Sequence, residues 1–176
     1  MRYIESLVIH HSAICDEKPQ AKRVHNAHLL KWSRTGYGYF EERDGTEVQL
    51  ANDDQITYHC GQWNAISIGI CLAGDFRYQK PTKAQLNSLA RRVALLQMKY
   101  GIPDQRIFLH RELRPTSCPI VDLRKMILDM RKPKDTNEAR QRRKKRKMER
   151  LKKWILKSTG RVKEMYLRQY TRLRQR

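Results

Sequence analysis

The chain has 176 residues, which is enough for one domain with a hydrophobic core and an additional segment. Its formal net charge of +20 is uneven, because residues 1–130 hold 18 Lys and Arg against 14 Asp and Glu, whereas residues 131–176 hold 20 against four. The sequence lacks an apolar run long enough to span a membrane and lacks a recognisable secretory signal. We therefore expect a protein made in the cytoplasm, with free thiols and a C-terminal segment that attracts polyanions.

The first part of the chain alternates between strand and helix signals. Residues 3–11, YIESLVIHH, alternate and then become apolar, which predicts a strand that enters a core. Residues 15–32 favour a helix, with Asp16 available as a cap and Pro19 suited to a first helical turn. Residues 36–50, GYGYFEERDGTEVQL, predict a hairpin around their Asp-Gly pair.

The alternation continues up to residue 130. Residues 65–76, AISIGICLAGDF, predict a buried central strand, and residues 81–101 predict a helix that begins with a capping box. Residues 106–110, RIFLH, predict a short strand ending at a histidine, and residues 121–130 predict a closing helix. Together these elements predict an α/β fold for residues 1–130, a single domain with a central mixed β-sheet flanked by helices.

The composition changes abruptly after residue 130, where a linker leads into a basic run. Apolar residues then recur at steps of three, four or seven, at Met148, Leu151, Ile155, Val162, Tyr166, Tyr170 and Leu173. This spacing predicts a basic amphipathic helix over residues 131–176, weakly interrupted at Gly160, or a segment that orders on meeting a partner. Such a helix fits an anionic membrane surface or lipopolysaccharide. Nucleic acid is the less favoured partner, because charge alone cannot distinguish one polyanion from another.

Three potential metal ligands follow predicted strands. His10 and His110 each end one, and Cys118 lies eight positions after His110. A sheet holds such ligands rigidly, and two neutral imidazoles with one thiolate suit Zn²⁺ while leaving a fourth tetrahedral position open. His11 must face the opposite side of the strand from His10. We expect the other cysteines, Cys15, Cys60 and Cys71, to be small buried residues.

Four segments, LVIHHSA, GYGYFEERDGT, HCGQWNAISIGICLAG and HRELRPTSCP, resemble in order the signature blocks of the zinc-dependent N-acetylmuramoyl-L-alanine amidases. That family includes short phage endolysins and the peptidoglycan recognition proteins, and the resemblance covers residues 5–125. It implies a mixed sheet flanked by helices, and Zn²⁺ bound by His10, His110 and Cys118. One departure is Ile120, where many members have glycine.

The resemblance also implies roles for residues around the ion. Tyr37 would lie beside the zinc-bound water and handle a proton, and Thr116 would donate a hydroxyl hydrogen bond to the oxyanion. A family analogy places His59 in the substrate groove at about even odds. Trp63 and Asn64 are candidate contacts for sugar or peptide, and ordinary loop anchoring explains them about as well. Glu112 is the carboxylate nearest in sequence to a ligand, and its direction is left open.

The resemblance implies hydrolysis of the amide between N-acetylmuramic acid and L-alanine in peptidoglycan. We expect a monomeric phage or prophage endolysin, made without a signal peptide and acting on the wall after release; a bacterial autolysin is the lesser option. Two alternatives belong to other classes. One is a non-catalytic peptidoglycan-binding module, and the other is an amidase-like domain whose basic tail binds nucleic acid or a partner protein.

Overall fold

The computed structural model describes residues 2–131, 137–157 and 159–175. The chain divides into two compact units, Met1–Arg131 and Lys132–Arg176. Within the described residues, no helix has both the length and the apolar character that crossing a bilayer requires.

A five-stranded sheet with the order β3-β2-β4-β1-β5 forms the centre of the first unit. Strand β1 pairs in parallel with β4 and β5, β2 pairs in parallel with β4, and the hairpin makes β3 antiparallel to β2. The strands are β1 (Ser6–His11), β2 (Tyr39–Glu41), β3 (Glu47–Gln49), β4 (Ser67–Leu72) and β5 (Ile107–Leu109). The mixed sheet confirms the predicted α/β fold, the hairpin and the central position of β4.

The two longest strands are buried along their whole length, which explains their nearly continuous apolar sequences. Because side chains alternate along a strand, Leu7 and Ile9 face the larger core, whereas His10 pairs in register with Cys71, a member of a smaller cluster. His11 stacks on Phe76 in the larger core, with 5.5 Å between ring centroids. The two adjacent histidines therefore lie on opposite faces of the sheet, as predicted.

Helices cover the sheet and form the second unit. In chain order they are α1 (Ala21–Trp32), α2 (Lys83–Tyr100), α3 (His110–Leu113), α4 (Leu123–Arg131), α5 (Asn137–Lys157) and α6 (Gly160–Gln175). The predicted capping box of α2 is confirmed. Thr82 Oγ1 accepts the backbone N–H of Gln85 at 3.0 Å, and Gln85 Oε1 accepts that of Thr82 at 3.1 Å. The beginning of α1, the end of β5 and the helix break at Gly160 differ from the sequence prediction.

The beginning of α1 is the first difference. The helix begins at Ala21, and Asp16 accepts the nearby backbone N–H of Lys18 and pairs with the Arg23 side chain instead of capping the helix. The buried carboxylate of Glu42 instead accepts the backbone N–H groups of Gln20 at 2.8 Å and Ala21 at 2.7 Å. A negative charge there satisfies free helix donors and opposes the positive end of the helix dipole. The predicted cap is wrong because the hairpin provides a better one.

The cysteines and the third predicted strand differ in detail. All four cysteines are free, and Cys60 and Cys71 are buried as predicted, but Cys15 is exposed because it lies in the loop that joins β1 to α1. The strand predicted to end at His110 ends one residue earlier, since His110 is the first residue of α3.

The second unit is helical, as predicted, but the break at Gly160 is complete. Helices α5 and α6 pack against each other, and Gly160 has a φ of 60°, which favours glycine at the junction. The rings of Trp154 and Tyr166 are 5.6 Å apart across this interface, and Leu151 is buried. Some of the regularly spaced apolar residues of this segment therefore lie between the two helices. The side chains of Val162 and Leu173 lie outside the described residues.

Candidate active site

His10 is the innermost of the three predicted metal ligands. Its position in β1, between β4 and β5, leaves the side chain 1% exposed. Burial lowers its pKa well below the usual value, and the neighbouring His59 and His110 lower it further. The imidazole is therefore neutral, and a neutral imidazole has the free lone pair that a metal requires.

His110 follows β5 directly, and its ring centroid lies 4.4 Å from that of His10. The short helix α3 that begins here is held at its start by Glu112. One carboxylate oxygen of Glu112 accepts the backbone N–H of Leu109 at 2.8 Å, and the other pairs with Arg124 on α4 at 2.7 Å. The direction of Glu112, left open by the sequence, is thus toward the start of α3, where it binds the backbone of Leu109 and the side chain of Arg124.

Cys118 reaches the same place from the loop after α3. Its Sγ accepts the backbone N–H of His11 at 3.4 Å, and its carbonyl accepts the backbone N–H of Arg111 at 2.8 Å. Burial raises the pKa of the thiol to about 11, so a bound cation is needed to hold it as a thiolate near neutral pH. These contacts aim the sulfur at the two histidines.

The structure brings the three predicted ligands together. One potential ligand atom from each of His10, His110 and Cys118 lies within 4.8 Å of the others. Tetrahedral ligands with bonds of about 2.0–2.3 Å stand roughly 3.3–3.8 Å apart, so a small closure is sufficient to bind one ion. Within the described part of the chain, this is the one group of three or more His, Cys, Asp or Glu side chains with such spacing.

Tyr37 lies beside this group, just before β2. Its ring centroid is 5.1 Å from that of His10 and 5.3 Å from that of His28 on α1. Burial raises the pKa of Tyr37 well above its usual value, and the nearby thiols of Cys71 and Cys118 contribute in the same direction. The phenol therefore keeps its proton at neutral pH and is available as a hydrogen-bond donor.

An open cavity of about 680 Å³ begins at His110 and Thr116. We call it the groove. Trp32 and Tyr58 give it an aromatic wall, with ring centroids 6.4 Å apart. Its lining includes two arginines, Arg34 and Arg114, and no acidic residue. Neither arginine has an ion-pair partner among the described residues. The groove is therefore cationic and partly aromatic.

Comparison with known proteins identifies the family. Residues 1–120 match the family model described as N-acetylmuramoyl-L-alanine amidase. The chain belongs to this amidase family. The predicted resemblance is thereby confirmed, and the region from Met1 to Arg131 is called the amidase unit below.

Curated relatives and a solved structure agree with the family. The amidase unit is similar to peptidoglycan-recognition protein LB of Drosophila melanogaster, with 30% identity over 64% of this chain and 53% of that protein. It is also similar to the endolysin of Escherichia phage T7, with 33% identity over 53% of this chain and 64% of that protein. Thus the match spans between about half and two thirds of these relatives' lengths.

A solved N-acetylmuramoyl-L-alanine amidase, LysC from Clostridium intestinale, has the same fold. It aligns with a TM-score of 0.65 and 25% identity over 73% of this chain and 86% of its own. The alignment supports the α/β architecture derived above from the strand order.

The substrate-binding predictions in the amidase unit separate into two groups. His59 and Asn64 line the groove, whereas the ring of Trp63 packs against Phe108, with 5.6 Å between centroids. Asn64 also has a local role, because its Oδ1 accepts the backbone N–H groups of His59 at 3.1 Å and Cys60 at 2.6 Å. The loop-anchoring alternative considered for Asn64 therefore has direct support, while substrate contacts stay predictions.

Sequence reasoning missed one contact of the amidase unit. His59 Nδ1 lies 3.2 Å from His10 Nε2, and His59 Nε2 lies 3.3 Å from the hydroxyl of Ser67. The sequence carries no local signal for the contact between His59 and His10, because it depends on how β1 pairs with β4.

Proposed function

We propose that the chain is a zinc-dependent N-acetylmuramoyl-L-alanine amidase that cleaves the bond between N-acetylmuramic acid and L-alanine in peptidoglycan. The convergence of His10, His110 and Cys118 at one end of a groove, in a member of this family, carries the proposal. Two nitrogen donors and one sulfur donor are the ligand types that Zn²⁺ prefers. When bound, Zn²⁺ would polarise the amide carbonyl and lower the pKa of a water molecule to about 7.

Tyr37 and Thr116 are the proposed catalytic residues. Tyr37 keeps its phenolic proton next to His10 and can orient the attacking water or transfer a proton. Thr116 Oγ1 accepts the backbone N–H of Cys118 at 3.3 Å, which leaves its own proton free for a substrate oxygen. A hydroxyl fixed in this way can stabilise the oxyanion that forms at the scissile carbonyl.

The groove supports a peptidoglycan substrate. Peptide stems carry carboxylates, and the unpaired guanidinium groups of Arg34 and Arg114 provide complementary charge. Trp32 and Tyr58 offer aromatic faces of the kind that pack against sugar rings. His59 and Asn64 are retained as proposed substrate contacts because they line the same surface, and Trp63 is retained with less support because it packs on Phe108.

The basic tail is proposed to bring the enzyme to an anionic envelope surface, either a membrane or lipopolysaccharide. Residues 131–176 hold 20 Lys and Arg against four Asp and Glu. Because Leu151 is buried and Trp154 packs against Tyr166, electrostatic attraction is expected to exceed insertion of an apolar face. Nucleic acid, or a partner protein, remains the alternative target of the same charge.

The biological setting is also a proposal. Several relatives are phage endolysins, which supports a lytic enzyme that is made in a host cytoplasm and reaches the wall after release. We propose that it acts as a monomer.

Mass analysis of peptidoglycan digested by the purified protein tests the proposal. Free L-alanine amino termini should appear together with intact glycan chains, and a chelator should abolish them. Products that persist in the chelator would exclude the zinc mechanism. Binding of peptidoglycan without any cleavage product would favour the non-catalytic binding module instead.

A further inference from the structure

A buried chain of hydrogen bonds runs from a backbone carbonyl to a proposed metal ligand. The hydroxyl of Ser67 lies 2.6 Å from the carbonyl oxygen of Trp63 and 3.3 Å from Nε2 of His59. On the other side of the His59 ring, Nδ1 lies 3.2 Å from Nε2 of His10. Ser67, His59 and His10 are all buried, so water does not compete for these contacts.

The proton positions along this series of hydrogen bonds follow from the carbonyl oxygen of Trp63 at one end. A carbonyl oxygen only accepts, so the single hydroxyl proton of Ser67 goes to Trp63. Ser67 Oγ must then accept from His59, which places the His59 proton on Nε2. A neutral imidazole protonated on Nε2 has Nδ1 as its acceptor, and that acceptor faces His10.

The last step assigns the tautomer of His10. Because His59 Nδ1 accepts, His10 Nε2 must carry the proton that is donated across the 3.2 Å contact. The lone pair of neutral His10 is then on Nδ1. We propose that His59 and Ser67 are positioning residues which hold His10 in the tautomer that presents Nδ1 to the metal, an inference that rests on the proposed zinc function.

The surroundings of His59 are built to keep this geometry. Asn64 Oδ1 accepts the backbone N–H groups of His59 and Cys60, which stabilises the loop that carries the ring. Ser67, Gly69 and Cys71 point to one face of β4 because side chains alternate along a strand. A Cβ atom at Gly69 would stand 2.6 Å from Cγ of His59, so the ring lies directly against the bare strand.

Zn²⁺ affinity is the first test, because it does not depend on catalysis. His59→Leu removes the acceptor, and we expect the Kd for Zn²⁺, measured by competition with a chromogenic chelator, to rise about 10–100-fold. His59→Asn keeps an oxygen acceptor near the position of Nδ1 and should restore most of the affinity. Ser67→Ala should give an intermediate rise. Equal affinity in the wild-type protein, His59→Leu and Ser67→Ala would overturn the proposal.

A matched histidine controls for nonspecific effects. His25 on α1 is partly buried, its Nδ1 lies 3.0 Å from Thr35 Oγ1, and it is not one of the three proposed ligands. His25→Leu should leave the Kd for Zn²⁺ unchanged. A rise as large as that of His59→Leu would mean that general destabilisation is being measured, and would count against a positioning role.

The second test uses the unaltered protein and therefore does not depend on how a variant folds. Long-range ¹H–¹⁵N spectra of the histidine side chains in the Zn²⁺-loaded protein report which nitrogen carries the proton. We expect His59 and His10 both to be protonated on Nε2. A proton on Nδ1 of His59 would overturn the inference.

Failure of the inference differs from failure of the proposed function. If the wild-type protein binds Zn²⁺ with the expected order of variant affinities but releases no peptidoglycan fragments, the amidase activity is wrong and the positioning role stands. If the His59→Leu variant cleaves with a higher KM and unchanged Zn²⁺ affinity, His59 acts only as a substrate contact and the positioning role is wrong.

Discussion

The amidase unit and the basic tail differ in net charge and in how many of their apolar side chains are buried. The amidase unit has a net charge of +4 in its first 130 residues and buries most of its apolar side chains around a sheet, which fixes single atoms to within a few ångströms of one another. The tail carries +16 and buries Leu151 alone among its described apolar residues, leaving Leu156 85% exposed. Chemistry at one bond requires fixed positions, whereas attraction to a surface requires only a density of charge.

The largest effect on hydrolysis is expected when one of the proposed metal ligands is removed. Cys118→Ala removes one of three ligands, so Zn²⁺ binding should fall below detection and hydrolysis of isolated peptidoglycan should drop at least about 1,000-fold. Measured metal content and product release check this. Cys15→Ala, at an exposed thiol, should change neither quantity. Adsorption to whole cells should be unaffected by both substitutions if it depends on the tail, as proposed.

A smaller loss is expected when the ligands stay but a proton donor is removed. Tyr37→Phe deletes one hydroxyl next to His10, and kcat should fall roughly 100-fold while one Zn²⁺ remains bound. Steady-state kinetics and metal analysis measure the two effects separately. An unchanged kcat would remove Tyr37 from the mechanism. Loss of zinc would reassign it to the structure of the metal site.

The tail is expected to affect action on whole cells and not the hydrolysis of isolated peptidoglycan. Removing residues 132–176 should leave hydrolysis of isolated peptidoglycan within about twofold and reduce action on whole cells roughly tenfold. In the intact chain, raising the salt concentration from 50 to 200 mM should weaken binding to anionic vesicles by a similar factor. Equal loss on isolated wall and whole cells would mean that the tail supports the amidase unit. Binding to DNA in preference to vesicles would favour the alternative partner.

The smallest effect on hydrolysis is expected at Glu41, where the consequence is for stability. This carboxylate is fully buried, and burial raises its pKa to about 7, with Glu47 adding to the rise and Arg92 opposing it. The folded state therefore binds a proton more tightly than the unfolded chain, so stability falls as pH rises from about 4.5 to 7 and stays lower above that. Glu41→Gln should stabilise the protein by about 1–3 kcal/mol at pH 8 and by little at pH 4. Denaturant unfolding at the two pH values measures this, and an equal gain at both would reject the ionisation.

The sequence predicted those features that depend on neighbouring residues. Continuous apolar runs placed β1 and β4, and a Thr and Gln three positions apart placed the beginning of α2. Features that depend on distant contacts escaped it. The cap of α1 comes from Glu42, 21 positions after Ala21, whereas local sequence rules favour Asp16 as the cap.

In the candidate site, too, local features could be predicted from the sequence and long-range contacts could not. The three predicted ligands could be chosen because His10 and His110 lie at predicted strand ends, because Cys118 follows His110 by eight positions, and because their order resembles a family pattern. The contact of His59 with His10 spans 49 positions and depends on the register in which β1 and β4 pair, which no spacing rule provides. The break at Gly160 was underestimated because one glycine weakens a helix only moderately, whereas packing of α5 on α6 favours a full turn there.

The absence of a side chain at Gly69 has a consequence for the redesign of this protein. An added methyl group in the middle of β4 would strike the imidazole of His59 before it met anything else on that face. Substituting alanine there, a routine step for strengthening a strand, is therefore expected to displace His59 and, through it, the proposed ligand His10. The absence of a side chain at Gly69 thus leaves the space that the His59 ring occupies beside the proposed metal site.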